Sequence, residues 1–210
     1  MKRIASLLAT VITALTIAAQ ASLTDADYRK VANELGIEVA AIKALASIEG
    51  GGHGFAANGK PTINFDLSVY KKLLRQAGKS QAQARKASPI AFAGVNRARY
   101  GGYVEAQHAR LDDACKFDRE LALKATFWGM FQIGGFNYHL CGCKSVEEFV
   151  RLNSESELQQ LELFGRFIQR IGLVKYVKAH NWRAFAQAYN GGRYVSGYAS
   201  KLQRAYNRYK

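Results

Sequence analysis

Acid is scarce in this chain of 210 residues: 16 Asp and Glu stand against 30 Lys and Arg, a formal net charge of +14. Such a surplus implies an anionic partner or an anionic surface. Nucleic acid is not expected, because no helix-turn-helix, zinc-finger or RNA-binding signature is present. The cations are also spread along the chain, thickening only modestly at Lys71, Lys72, Arg75, Lys79, Arg85 and Lys86 and again at Arg204, Arg208 and Lys210. Cysteine is scarce too. Cys115, Cys141 and Cys143 are too few for a disulfide scaffold. The run His139-Leu140-Cys141-Gly142-Cys143 lacks both the C-x2-C spacing and a second ligand pair, so neither a metal nor an organic cofactor is expected. Internal repeats and low-complexity tracts are missing, which excludes solenoids and long linkers.

Long apolar runs are missing as well, except at the amino terminus. There Met1-Lys2-Arg3 leads into residues 4 to 18 and then Ala19-Gln20-Ala21, a basic start, an apolar stretch and a small-x-small pattern. This reads as a signal peptide over residues 1 to 21, with an uncleaved signal-anchor as the rival. Cleavage leaves residues 22 to 210 as one exported domain, periplasmic or extracellular, that meets the membrane only transiently through its signal segment. An oxidising compartment predicts one bridge, from Cys115 to Cys141 or Cys143, because the single-residue spacing of the latter two strains a mutual bond.

Periodicity and caps predict a mainly α domain with one small β-hairpin. Thr24 with Asp27 starts a helix that Gly36 stops, and a second helical face runs through Ile42, Leu45 and Glu49. A helical stretch over 67 to 87 breaks at Ser88-Pro89, and another covers 103 to 125. Ser145 with Glu148 and Ser154 with Glu157 form two more capping patterns, and the second opens a helix burying Leu158, Leu161, Phe164, Ile168 and Ile171. Asn181 caps residues 182 to 189, and a last helix starts near Tyr198.

Against that background Glu49 stands out, because a face that should be buried ends in an acid followed by Gly50-Gly51-Gly52. A carboxyl at the lip of an apolar pocket loses hydration and can donate a proton near neutral pH. A frayed, solvated helix end is the plain alternative. Downstream, residues 55 to 66 read as a hairpin turning at Asn58-Gly59, with Ile63 and Phe65 on one face and Thr62, Asn64 and Asp66 on the other. Asp66 reads either as a second carboxyl facing Glu49, the pairing that glycoside cleavage uses, or as the N-cap of the following helix. His53 alone among the histidines stands near these acids, where it reads as a sugar contact or a surface-loop residue.

Three blocks in order carry a resemblance: Ile48-Glu49-Gly50-Gly51 with Pro61-Thr62-Ile63-Asn64-Phe65-Asp66; Trp128-Gly129-Met130-Phe131-Gln132-Ile133-Gly134-Gly135-Phe136-Asn137-Tyr138; and Phe185-Ala186-Gln187-Ala188-Tyr189-Asn190-Gly191. Together they resemble the phage and bacterial N-acetylmuramidase (endolysin-type) family of the lysozyme superfamily. The second and third blocks are also similar to lytic transglycosylase motifs. The resemblance implies a lysozyme-like domain that binds peptidoglycan glycan strands and cuts between N-acetylmuramic acid and N-acetylglucosamine. Its rivals are a lytic transglycosylase and an inactive wall-binding protein. It implies Glu49 as general acid and Gln132, Tyr189 and Asn190 along the sugar cleft, beside Asp66 as the candidate second catalytic carboxyl. Asn64, Thr126 and His53 complete the candidate sugar contacts. Where such muramidases carry a glutamate, a variable residue and a histidine, this chain has Asp66, Leu67 and Ser68. The positive charge then fits an anionic cell-wall surface.

Overall fold

The computed structural model describes residues 22–50, 53–192 and 196–210; the expected export signal and Gly51-Gly52 lie outside these residues. The first helix, α1 (Asp25–Leu35), begins as its cap predicts, with Thr24 accepting from the Asp27 amide and Asp27 accepting from the Thr24 amide. It ends on Gly36 in the left-handed region, φ 62°. The next, α2 (Val39–Glu49), buries Ala40, Ala41, Ile42, Ala44, Leu45 and Ala46, and these small side chains let neighbours come close.

Both long helical stretches break where a polar cap can restart the chain. Residues 67–87 form α3 (Leu67–Gln76) and α4 (Gln81–Ala87), parted by Gly78 at φ 67° and restarted by the Ser80 hydroxyl. After α5 (Pro89–Phe92) and α6 (Arg97–Tyr100), residues 103–125 form α7 (Tyr103–Cys115) and α8 (Arg119–Lys124), restarted by Asp118. A 3-10 turn, Gly135–Cys141, leads to α9 (Val146–Asn153), α10 (Glu157–Arg170), α11 (Val174–Lys178), α12 (Trp182–Tyr189) and α13 (Tyr198–Tyr209). The last helix packs along α2, which also touches α1, so both ends of the described chain enclose the helix that carries Glu49.

The expected hairpin is only partly present. Its turn forms, with Gly59 at φ 76° and Lys60 N donating to Asn58 Oδ1, but only Phe55 bridges Pro61 across it. The true partner of β1 (Ile63–Phe65) is β2 (Thr126–Trp128), antiparallel with Ile63 opposite Trp128, and β2 then pairs with β3 (Ile133–Gly134). Ile63, Phe65 and Trp128 all enter the core, so packing across the sheet outweighs the shorter loop.

Two further expectations are corrected. Ser154 closes α9, whereas Ser156 caps α10 by accepting from Gln159 N; Glu157 is thereby released for another partner. All three cysteines are free. Cys115 ends α7 beside Asp112 and Arg119, while Cys141 and Cys143 sit near Arg166 of α10, so tertiary packing holds the two groups apart.

Candidate active site

Glu49 is the last residue of α2, and packing of that helix carries the carboxyl in with it. Its Oε1 is buried and has no hydrogen-bond partner among the described residues. Burial pushes its pKa from the usual carboxylate range up to about 7. The negative end of the helix dipole acts in the same direction. The result is an acid that keeps a proton near neutrality.

One aromatic side chain feels the charge of this acid and belongs to a stacked cluster. Tyr189, at the end of α12, has its phenol pushed up by burial first, with the charge of Glu49 adding to the effect. Its ring stacks on Phe185 with centroids 5.6 Å apart and meets Phe164 edge-on at 6.1 Å. Phe131 in turn stacks on Phe164 at 4.2 Å. Trp128 belongs to the core: it is buried and its indole donates to Leu123 O.

The loop after the acid is anchored by two residues that the sequence did not reveal. Gly54 N donates to Glu157 Oε1 at 2.8 Å, and Gly54 O accepts from Gln160 Nε2 at 3.2 Å. Gln160 also takes the Met130 amide at 2.8 Å and donates to Asn153 O at 2.8 Å. One buried amide therefore ties the loop after Glu49 to the β2–β3 turn and to the end of α9. The approach is so close that a side chain at Gly54 would begin 2.3 Å from Gln160 Oε1. A signal existed: a glutamate and a glutamine on an α10 face that otherwise buries Leu161, Phe164 and Ile168.

The other candidates divide. Gln132, at φ 48°, donates through Nε2 to Gly129 O at 2.8 Å and fastens its own turn. Asn190 donates to Ala186 O at 2.8 Å, and the left-handed position after α12 falls on Gly191, φ 66°. Both stay partly exposed. Asn64 faces α7, where its Oδ1 accepts from Gln107 Nε2 at 3.0 Å and Tyr103 Oη at 3.3 Å. His53 is exposed, and its carbonyl receives the Thr62 hydroxyl. Thr126 requires correction as a sugar contact: it has no exposed surface and its hydroxyl donates to Ala122 O, closing the α8–β2 junction. Asp66 caps α3, its Oδ1 accepting from Ser68 N at 2.7 Å and Val69 N at 2.9 Å.

In sequence, residues 38–210 match the N-acetylmuramidase family. In structure, the chain is similar to the endolysin of the Burkholderia AP3 phage, with a TM-score of 0.77 and 37% identity over 89% of this chain and 71% of that one. No curated protein matches it. A family match that runs from the start of α2 through α13, on a fold shared with a phage endolysin, leaves one conclusion: the chain belongs to the N-acetylmuramidase family, a family of peptidoglycan-degrading enzymes.

Proposed function

We propose that this peptidoglycan-degrading enzyme hydrolyses the glycosidic bond between N-acetylmuramic acid and N-acetylglucosamine, with Glu49 as general acid. The observation that carries the reading is the buried Oε1 of Glu49, unpartnered among the described residues. An acid held neutral this way can pass its proton to the glycosidic oxygen as the bond to the anomeric carbon lengthens. The carboxylate left behind then takes a proton from the water that attacks that carbon. In this reading Tyr189, Gln132 and Asn190 line the sugar path, with their side chains already held by the contacts described above.

The state of Asp66 supports a second reading. Because Oδ1 takes two α3 amides, a single-acid reaction fits as well, in which the sugar's own hydroxyl closes a 1,6-anhydro ring in place of water. An inactive wall-binding role is less well supported, since simple binding gains nothing from an unpartnered buried acid. The reading places the enzyme outside the cytoplasm after removal of residues 1 to 21. Finding Ser22 as the mature amino terminus supports that placement, and an intact Met1 in a membrane fraction opposes it.

Turbidity loss of purified walls tests the activity, and mass spectrometry of the products tests the chemistry. Hydrolysis leaves reducing muramic ends; anhydro ends, lighter by one water, would replace the hydrolase with a transglycosylase.

A further inference from the structure

Between residues 67 and 104 the chain has no Asp or Glu and eight Lys or Arg. The fold packs α5 and α6 of this segment against α7 and leaves a cavity of about 500 Å³ between them. Pro89, Ile90 and Ala93 supply an apolar side, while Asn96, Arg99 and Arg110 supply the polar one.

Arg110 is the unusual member. It is only 7% exposed, and its hydrogen bonds all go to neutral acceptors: Phe65 O and Gln107 Oε1 on Nη1, Ala91 O on Nη2, each at 3.2 Å. The charge of Asp66 reaches it without a hydrogen bond or ion pair and only partly offsets the cost of burial. Its Nε is buried with no hydrogen-bond partner among the described residues. Neither Arg110 nor Arg99 forms an ion pair among the described residues. Asp113, one turn further along α7, is already committed to the Ile90 and Ala91 amides and to Lys116. A buried cation whose hydrogen bonds all go to neutral groups is stabilised by an anion that pairs with it directly. Arg99 is exposed beside it, its guanidinium 5.5 Å from the centre of the Tyr100 ring.

We propose that this cavity is a subsite for the acidic peptide stem of the cell wall, with a stem carboxylate seated at Arg110 and Arg99. A guanidinium matches the planar carboxylate through paired N–H groups. The apolar side then takes the short apolar side chains of the stem, a feature that a bare phosphate would not need. This rests on peptidoglycan being the substrate. Since Arg110 also holds the carbonyl of Phe65, directly before Asp66, a filled subsite would stiffen β1 from behind.

The test titrates the full chain calorimetrically with the tripeptide alanyl-γ-glutamyl-diaminopimelate, with its fully amidated form, and with inorganic phosphate. The tripeptide should bind, the amide should not, and Arg99→Ala should weaken binding about ten-fold without lowering the melting temperature. Arg110→Lys keeps the charge but loses the fork, and should weaken binding similarly. In kinetics, Arg99→Ala should raise KM for intact wall several-fold more than KM for glycan stripped of its peptides. Equal binding of the amide, competition by phosphate at the same concentration as the tripeptide, or equal KM changes on both substrates would overturn the subsite. The titration needs no catalysis: a chain that binds the tripeptide but leaves walls intact refutes the proposed reaction alone, whereas one that lyses walls without binding tripeptide refutes the subsite alone.

Discussion

Glu49 and Asp66 stand at opposite kinds of helix end. Glu49 closes α2, where carbonyls point outward, and its buried Oε1 has no hydrogen-bond partner among the described residues. Asp66 opens α3, where free amides need an acceptor and its Oδ1 takes two. Two carboxyl side chains of nearly the same chemistry are therefore given different work by the polarity of the helix end beside them. The lesson is that an acid's role is set by what its neighbours withhold as much as by what they supply.

The sharpest way to break this comparison is Glu49→Gln, which keeps shape and removes the proton. Wall lysis should fall by roughly two to four orders of magnitude while wall binding persists. Full lysis by this variant would end the case for Glu49.

The same substitution should also stabilise the fold at alkaline pH. Burial raises the folded pKa of Glu49 to about 7, above its ordinary 4.5, so the folded protein holds this proton more tightly than the unfolded chain. That contribution is fully present below the unfolded pKa and is lost as pH rises through about 7. The loss is about 3 kcal/mol once titration is complete. Denaturation near pH 8.5 should therefore find Glu49→Gln more stable than the wild type, with the gap closing near pH 4. Activity should decline through the same alkaline range, because the donor must be protonated.

Gln160→Ala sharpens the comparison from outside. It strips partners from the Met130 amide and from the Gly54 and Asn153 carbonyls, and should cost about 2 kcal/mol. Hydrogen exchange should rise at Gly54 and Met130 first, and unchanged exchange there would refute the anchoring role.

At Asp66 the smallest effects are expected. Asn caps about as well as Asp, so Asp66→Asn should leave stability nearly unchanged, whereas Asp66→Ala should cost about 1 kcal/mol. If capping is the whole role, Asp66→Asn keeps most activity. A loss matching that of Glu49→Gln would make Asp66 a catalytic partner and erase the difference between the two sites.

Much of the helical layout was legible because caps and periodicity act over a few residues. Thr24 with Asp27, Ser145 accepting from Glu148 N, and Asn181 accepting from Ala184 N all work within one turn of chain. So did the placement of Glu49, an acid ending an apolar face. Legibility failed where partners are far apart in sequence. Nothing near residue 63 announces Trp128 as its strand neighbour, and nothing near Gly54 announces Glu157 and Gln160. Ser154 misled because two serines lie within reach of the same helix start and only packing chooses between them. Thr126 sat in a distinctive block yet turned inward, since its strand alternates between core and surface in a phase that the sheet register decides.

By itself, then, the sequence determined most of the helical layout, several of its caps, the surplus of cation and the position of one acid, because each depends on neighbours within a few residues. Tertiary structure alone decided that the Glu49 carboxyl loses its water, that the cysteines stay apart, and that Arg110 is buried beside a cavity with only neutral hydrogen-bond partners. Desolvation and long-range pairing are properties of the packed interior, and no local stretch of chain encodes them.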